Sequence, residues 1–302
     1  MRRIRFVQYD VFTDVPFGGN QLAVFPDATE VSGAEMQAIA REMNYSESTF
    51  ILPATDPKAA WHVRIFTPAT ELPFAGHPVV GTTFALADGG MLPAHETPAY
   101  LQLGVGTLPV DLLYEGQRLS FVWMHQPIPV FSPWQGDRAR LAAALGLAED
   151  DLVADLPIEQ AALGVVHLYV PVRTLDAVGR AHPGADLTAA LGIDTPLGVN
   201  VFALERPPSG NDIHTRMFAP SMGVTEDPAT GSAAGPLGAY LLRHGHLQPD
   251  ETGVARARVE QGIEMGRPSL LSVAVAGTAT DIQEVRVGGT AVLVAEGTLL
   301  LP

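Results

Sequence analysis

The sequence predicts an α+β chain of two similar, strand-rich lobes, each rolled around one helix. Three observations carry this reading: a duplicated segment, a length suited to two cores, and many short strands broken by few helices. The segment FTPATELPFAGHPVVGTTFAL at 66–86 returns, altered, as FAPSMGVTEDPATGSAAGPLGAYL at 218–241. Both copies open Phe-x-Pro, cross an acidic loop containing Pro, and reach Gly76-His77 or Gly231-Ser232. Ten residues past each Gly stands a Leu, Leu86 or Leu241. A length of 302 residues, 47% hydrophobic, fits two ordinary cores. The expected division is an N-terminal lobe over residues 1–125 and a C-terminal lobe over 126–289, with strands in 290–302 able to return to the first lobe.

The elements follow from local pattern. Residues 4–12 and 21–25 read as strands joined by the turn-rich DVPFGGN. Ser32 and Glu35 form a capping box for a helix carrying Met36, Ile39, Ala40 and Met43 at helical spacing, and Asn44 stops it. Strands are expected at 49–52 and through WHVRIFTP, where Val63 and Ile65 alternate with His62 and Arg64. After the first repeat helix comes a meander: 100–105, then Leu108, Val110, Leu112 and Tyr114 on one face, a turn at Glu115 and Gly116, and 118–123. The Pro-rich HQPIPVFSP is the candidate linker. Beyond it a helix near 137–145, strands at 164–170 and 198–204, the second repeat segment, and strands through 256–275, 284–287 and 291–295 are expected.

Composition excludes several functions. A net charge of −15 and a pI near 4.9 oppose binding to nucleic acid or an anionic membrane surface. With no Cys in the chain, disulfides, thiolate nucleophiles, Cys-ligated zinc and iron–sulfur clusters are unavailable. No apolar run reaches the roughly 18 residues needed to span a bilayer. The N-terminal MRRIRFVQYDVF reads as a strand and not as a signal peptide, so a soluble cytoplasmic protein is expected.

The chemistry-bearing residues gather at the two loop-to-helix junctions. The first N–H groups of a helix lack intrahelical partners and sit at the positive end of its dipole, so such ends favour a carboxylate or another anion. Gly76 and Gly231 allow close approach of a ligand to the backbone. The alternative is that Gly and Ala there serve close packing alone. Glu47, in NYSESTF, opens an apolar strand, where desolvation would raise its pKa toward a range useful for acid–base work. The alternative, favoured by local sequence alone, is a solvated turn residue. Asp227, in TEDPATGS, is either a site carboxylate or a complement to the helix dipole. His77 at the first helix end should stay neutral there, whether it binds a ligand or only packs. His244 and His246 have metal-pair spacing but read as carbonyl caps at a helix C-terminus. Ser232 with His77 or His214 and Asp227 lacks the G-x-S-x-G elbow of a hydrolase, and GVGTLP lacks the βαβ context of a nucleotide site.

The motifs VFTDVPFGGNQLAVF, NYSESTF, FTPATELPFAGHP, EDPATGSAAGPLGAYL and EQGIEMGRPS, in this order over nearly the whole chain, closely resemble the phenazine-biosynthesis PhzF-like isomerase family. The resemblance implies a diaminopimelate-epimerase-like fold of two pseudo-symmetric lobes, each a strand-rich barrel around a central helix, with the active site in the cleft between them. It implies isomerisation of the dihydro-hydroxyanthranilate type without cofactor or metal, and a homodimer. Carried over by motif, the catalytic glutamate falls on Glu47, its supporting histidine on His77, and the aspartate and serine on Asp227 and Ser232. Gly76 and Gly231 then supply N–H groups to the substrate carboxylate. Superfamily epimerases and racemases place a Cys before each of these glycines, where this chain has Ala75 and Thr230, so two-thiol racemisation is unavailable. Gln21, Tyr45, Val79 and Val80 depart from common family residues. A non-catalytic protein of this fold that binds a small carboxylate or a protein partner is the alternative. Lacking Cys and any convincing ligand cluster, the chain should keep full turnover in the presence of thiol reagents and metal chelators. Loss on chelation, restored by zinc or manganese, would contradict this.

Overall fold

The computed structural model describes residues 1–302 apart from 94, 164, 186, 193–196 and 302. The chain divides into two compact units, Met1–Gln126 with Arg286–Pro302, and Pro127–Val285. The sequence-based limits of 125 and 290 differ from these by one and four residues.

In the first unit β1 (Arg2–Val11) runs antiparallel to β2 (Asn20–Phe25). Helix α1 (Gly33–Met43) then crosses over so that β3 (Glu47–Leu52) lies parallel to β2. The capping box forms: the Ser32 hydroxyl accepts from the Glu35 N–H while the Glu35 carboxylate accepts from the Ser32 N–H. Asn44 ends the helix in the left-handed region, at φ 53°. The face of α1 carrying Met36, Ile39 and Ala40 packs on a cluster that includes Phe25, Phe50 and Phe66. Within it Phe25 and Phe50 stack at 4.7 Å, with Phe66 edge-on to Phe50 at 5.5 Å.

Strand β4 (Trp61–Phe66) is antiparallel to β3 and to the short β5 (Glu71–Leu72), which leads into α2 (Gly76–Asp88). Strand β6 (Ala99–Leu103) returns parallel to β4, followed by the antiparallel β7 (Gly106–Glu115) and β8 (Arg118–Gln126). The last strand of the chain, Ala291–Leu301, pairs antiparallel with β1. Residues 76–86 of α2 are all buried, and the helix touches β1, β2, β3 and β8, so the sheet wraps round it. Gly81 lets that helix approach the sheet: a Cβ there would lie 2.6 Å from Val11 Cγ2 and 2.7 Å from Leu22 Cδ2.

The second unit repeats this connectivity. Strand β9 (Val130–Pro133) lies inside the expected linker and pairs with β10 (Glu159–Leu163), after α3 (Arg138–Ala144). Then β11 (Val165–Val172) is antiparallel to β10 and parallel to β12 (Leu197–Ala203), reached through α4 (Leu175–Arg180) and α5 (Leu187–Leu191). Residue 164, the expected start of one strand, lies outside the described residues. Strand β13 (Ile213–Ala219) is antiparallel to β12 and to β14 (Val224–Asp227), which leads into α6 (Gly231–Arg243). Strand β15 (Val254–Gln261) is parallel to β13 and antiparallel to β16 (Ser269–Gly277). Strands β17 (Ile282–Gly289) and β18 (Ala291–Leu301) close the chain. The two halves thus share one pattern: antiparallel pair, parallel crossover, short hairpin, buried helix, parallel return.

Helix α6 is buried from Gly231 to Leu242 and packs against β11, β15 and β16. Gly238 is its contact point, because a Cβ there would sit 2.4 Å from Val273 Cγ1. Gly238→Ala should therefore destabilise by about 1–3 kcal/mol through overpacking, despite the better helix propensity of Ala. A lowered urea midpoint with unchanged slope is the expected result. An unchanged midpoint would mean that the helix is not held this tightly.

Candidate active site

Each unit gathers polar groups at the start of its buried helix. In the first, Ala75 is the N-cap of α2 and offers no side-chain hydrogen bond, and no acidic residue stands in the first turn. The positive helix end is therefore uncompensated by its own segment. His77, the second helical residue, is buried, with Nδ1 3.4 Å from Glu47 Oε2 and 3.3 Å from Asn20 Nδ2. Glu47 is placed by being the first residue of β3, opposite Leu22 on β2; Asn20 is the first residue of β2 itself. The crossover through α1 thus brings Glu47 beside a helix that begins 29 residues later. The Glu47 side chain is 16% exposed, enough to be reached by a ligand while mostly screened from water.

Burial pushes the His77 imidazolium down to about 3, against the weaker opposing effect of the Gln21 backbone. A neutral ring carries one proton, so Nδ1 either accepts from Asn20 or donates to the Glu47 carboxylate. Behind them Thr49 and Thr82 share a buried hydroxyl–hydroxyl bond of 2.8 Å that ties β3 to α2.

In the second unit Asp227 ends β14, buried, and its Oδ2 accepts from the Thr230 hydroxyl at 2.6 Å. Gln261, at the end of β15, donates to the Asp227 carbonyl at 2.6 Å and to Thr230 Oγ1 at 3.0 Å, while its Oε1 accepts from the Thr230 N–H at 3.2 Å. Thr230 is the N-cap of α6, yet its hydroxyl is committed to Asp227 and caps nothing. The first turn of α6 holds no acidic residue either. Asp227 stands outside that turn, fixed by Thr230. Ser232, the second helical residue, lies 3.1 Å from His167 Nε2 in a buried contact.

The sequence-derived residues thus fall into two groups by unit: Glu47, Gly76 and His77 in one, Asp227, Gly231 and Ser232 in the other. Asn20, His167 and Gln261 were not singled out by sequence. Asn20 and Gln261 lie inside the quoted motifs GGNQ and EQGIEMG. His167 gave no signal beyond being a lone His on an apolar strand. The reading of His244 is corrected: its ring Nε2 pairs with Glu159 Oε2 at 2.9 Å, and its backbone N–H, not the side chain, ends the helix. His214 lies between Glu260 and Glu264, at 3.0 and 2.9 Å, far in chemistry from a Ser-His-Asp relay. Among the described residues no group of three or more His, Asp or Glu is gathered to hold a metal ion, and no helix is long and apolar enough to cross a membrane.

Each unit thus sets polar side chains at the start of its buried helix, a carboxylate–imidazole pair in one and a hydroxyl–imidazole pair near a carboxylate in the other. Comparison with known proteins gives the family. The family model described as phenazine biosynthesis-like protein matches residues 9–297. A trans-2,3-dihydro-3-hydroxyanthranilate isomerase of Pseudomonas fluorescens is 40% identical over 296 residues, covering 98% of this chain and 99% of that one. The structure of a PhzF-family phenazine biosynthesis protein of Bacillus anthracis superposes with TM-score 0.90 at 30% identity, covering 100% of both chains. A probable proline racemase of Agrobacterium radiobacter shares the fold, with TM-score 0.68 at 14% identity over 99% of this chain and 93% of that one. The family and its named relatives define an isomerase acting on a small molecule. The chain belongs to the phenazine biosynthesis-like protein family.

Protonation gives a test of the two buried histidines. Burial also pushes His167 down, to about 4. Folded His77 and His167 take up protons only near these values, whereas the unfolded chain does so near 6.5, so the unfolded state holds more protons in between. Their contribution to stability is complete above about pH 6.5 and falls on acidification through that window, by up to about 1.4 kcal/mol per pH unit for each ring. His214 acts oppositely: burial disfavours its charge, but the flanking Glu264 and Glu260 raise its pKa overall. Ring NMR signals of His77 and His167 should therefore stay fixed from pH 8 to 5.5. A midpoint near 6.5 for either would contradict the burial argument.

Proposed function

We propose that this isomerase transfers a proton on a small carboxylate, without cofactor or metal, by a reaction of the dihydro-hydroxyanthranilate type. Glu47 removes a proton from one ring carbon, and the electrons shift through the conjugated double bonds. The same carboxyl then returns the proton to another carbon on the same face. Atoms and electrons balance within the substrate, so no co-reactant is needed. The observation that carries the reading is the pairing of Glu47 with neutral His77 at the start of α2, 3.4 Å apart and largely out of water. A carboxyl that must first accept and then give back the same proton works best where solvent cannot exchange it.

His77 and Asp227 would position or polarise the substrate's hydroxyl or amine, with Thr230 and Gln261 holding Asp227 in place. The helix starts at Gly76 and Gly231, with Ser232, would anchor the carboxylate through N–H and hydroxyl donors. The 40% identical relative supports a dihydro-hydroxyanthranilate substrate. As in the family generally, a homodimer is the proposed assembly.

Glu47→Gln decides the reading. Amide and carboxyl are nearly isosteric, so fold and substrate affinity should survive while turnover falls by about 10²- to 10⁴-fold. Asp227→Asn should lose less if that residue only positions the substrate. Turnover and deuterium wash-in from solvent on trans-2,3-dihydro-3-hydroxyanthranilate report both. An active Glu47→Gln protein sinks the mechanism, and binding without any turnover by the unaltered protein would favour a non-catalytic role.

A further inference from the structure

His167 is a polar residue buried without an evident structural reason. It is the third residue of β11, opposite Ala161 on β10 and Gly198 on β12. Its side chain is fully enclosed, at 1% exposure, on a strand otherwise filled by apolar residues. The fold makes room for it deliberately: a Cβ at position 198 would lie 2.7 Å from His167 Nδ1, so only Gly198 admits the ring. Placing an imidazole here costs desolvation, and the return is one hydrogen bond, Nε2 to Ser232 Oγ at 3.1 Å.

The direction of that bond follows from the other nitrogen. Nδ1 is buried and has no hydrogen-bond partner among the described residues. The neutral ring has one proton to place. On Nδ1 it would be an orphaned buried N–H, which is rarer and costlier than an unused acceptor lone pair. The proton therefore belongs on Nε2, and His167 donates to Ser232. A hydroxyl that accepts from a fixed donor turns its own hydrogen elsewhere, and Ser232 has no other side-chain hydrogen bond among the described residues. The neighbouring hydroxyl, that of Thr230, is already spent on Asp227. Ser232 is thus the hydroxyl at the start of α6 whose proton is left for a ligand.

We propose that His167 is a positioning residue: by donating from Nε2 it fixes the Ser232 hydroxyl as a donor toward the substrate carboxylate at the start of α6. This rests on the reading that α6 anchors the anion, and it adds the device that keeps Ser232 from acting as an acceptor, which would repel that anion. His77 holds the same helical position in α2, where Asn20 plays the contacting role.

Two measurements test it. In protein labelled with ¹⁵N at histidine, His167 should show the Nε2–H tautomer with bare Nδ1, unchanged from pH 8 to 5.5. An Nδ1–H tautomer overturns the proposal whatever the kinetics. For turnover of trans-2,3-dihydro-3-hydroxyanthranilate, Ser232→Ala and His167→Leu should each raise KM about tenfold or more, with kcat changed by less than about threefold, the size expected for one hydrogen bond to a charged group. His167→Gln, which can still present a donor, should recover most of the affinity. In the Ser232→Ala background His167→Leu should add nothing to KM. A full additional rise there means that His167 acts through packing, and the proposal fails while the anchor stands. An unchanged KM for Ser232→Ala removes the anchor reading and the proposal with it. Should His167→Leu not fold, or the compound not turn over, the tautomer decides alone.

Discussion

The structure depends on burying two helices along nearly their whole length inside sheets. Eleven consecutive residues of α2 and twelve of α6 are closed to solvent, so neither helix has a polar face on which to place ordinary capping and dipole partners. Sequence answers this with small residues, which let the backbone come within van der Waals distance of Val11 and Leu22 or of Val273. It also sets a polar pair at each N-terminal end, Asn20 with His77 and His167 with Ser232. Neither Ala75 nor Thr230 caps its helix, and no carboxylate stands in either first turn. A helix start without a side-chain cap from its own N-cap residue suits an anion, and the proposed substrate would supply one.

On the proposed reading, that arrangement would let a chain of net charge −15 hold an anion. The global field opposes binding, but it is screened within roughly a Debye length, about 8 Å at physiological salt. N–H groups and a hydroxyl at contact distance act inside that range. Buried carboxylates nearby are kept compatible with it by being committed: Asp227 accepts from Thr230, and Glu47 sits against His77. The charge that would matter to the proposed substrate is the partial charge of a few oriented dipoles.

Local features were legible in the sequence and long-range ones were not. The capping box of Ser32 and Glu35, the stop at Asn44 and both helix starts lie within a few residues of the signals that specify them. The repeat disclosed the two-unit plan because each copy carries its own helix and its own preceding hairpin. By contrast α4 and α5, of six and five residues, are too short for an apolar period to show. The Pro-rich linker contains β9 because Pro133 stands at the strand's end, where a missing N–H is tolerated. His244 was misread since its partner, Glu159, is 85 residues away. The pairs Asn20–His77 and His167–Ser232 span 57 and 65 residues, and only the packing of each buried helix on its sheet brings them together.

The two units show what a duplication keeps and what it releases. Connectivity is kept: the parallel crossover, the hairpin before the helix, the Gly at its first position, the parallel strand after it. These are set by packing, where a change in one strand forces changes in its neighbours. The second helical residue is released, being His77 in one unit and Ser232 in the other, each met by a different polar side chain from a strand. Among the described residues, the first unit pairs that residue with a carboxylate at the head of a parallel strand, Glu47. A duplicated scaffold can in this way carry different side-chain chemistry at equivalent helix starts. The difference lies in what the strands present to each start, a carboxylate from β3 at one and an imidazole from β11 at the other, while the backbone plan stays the same.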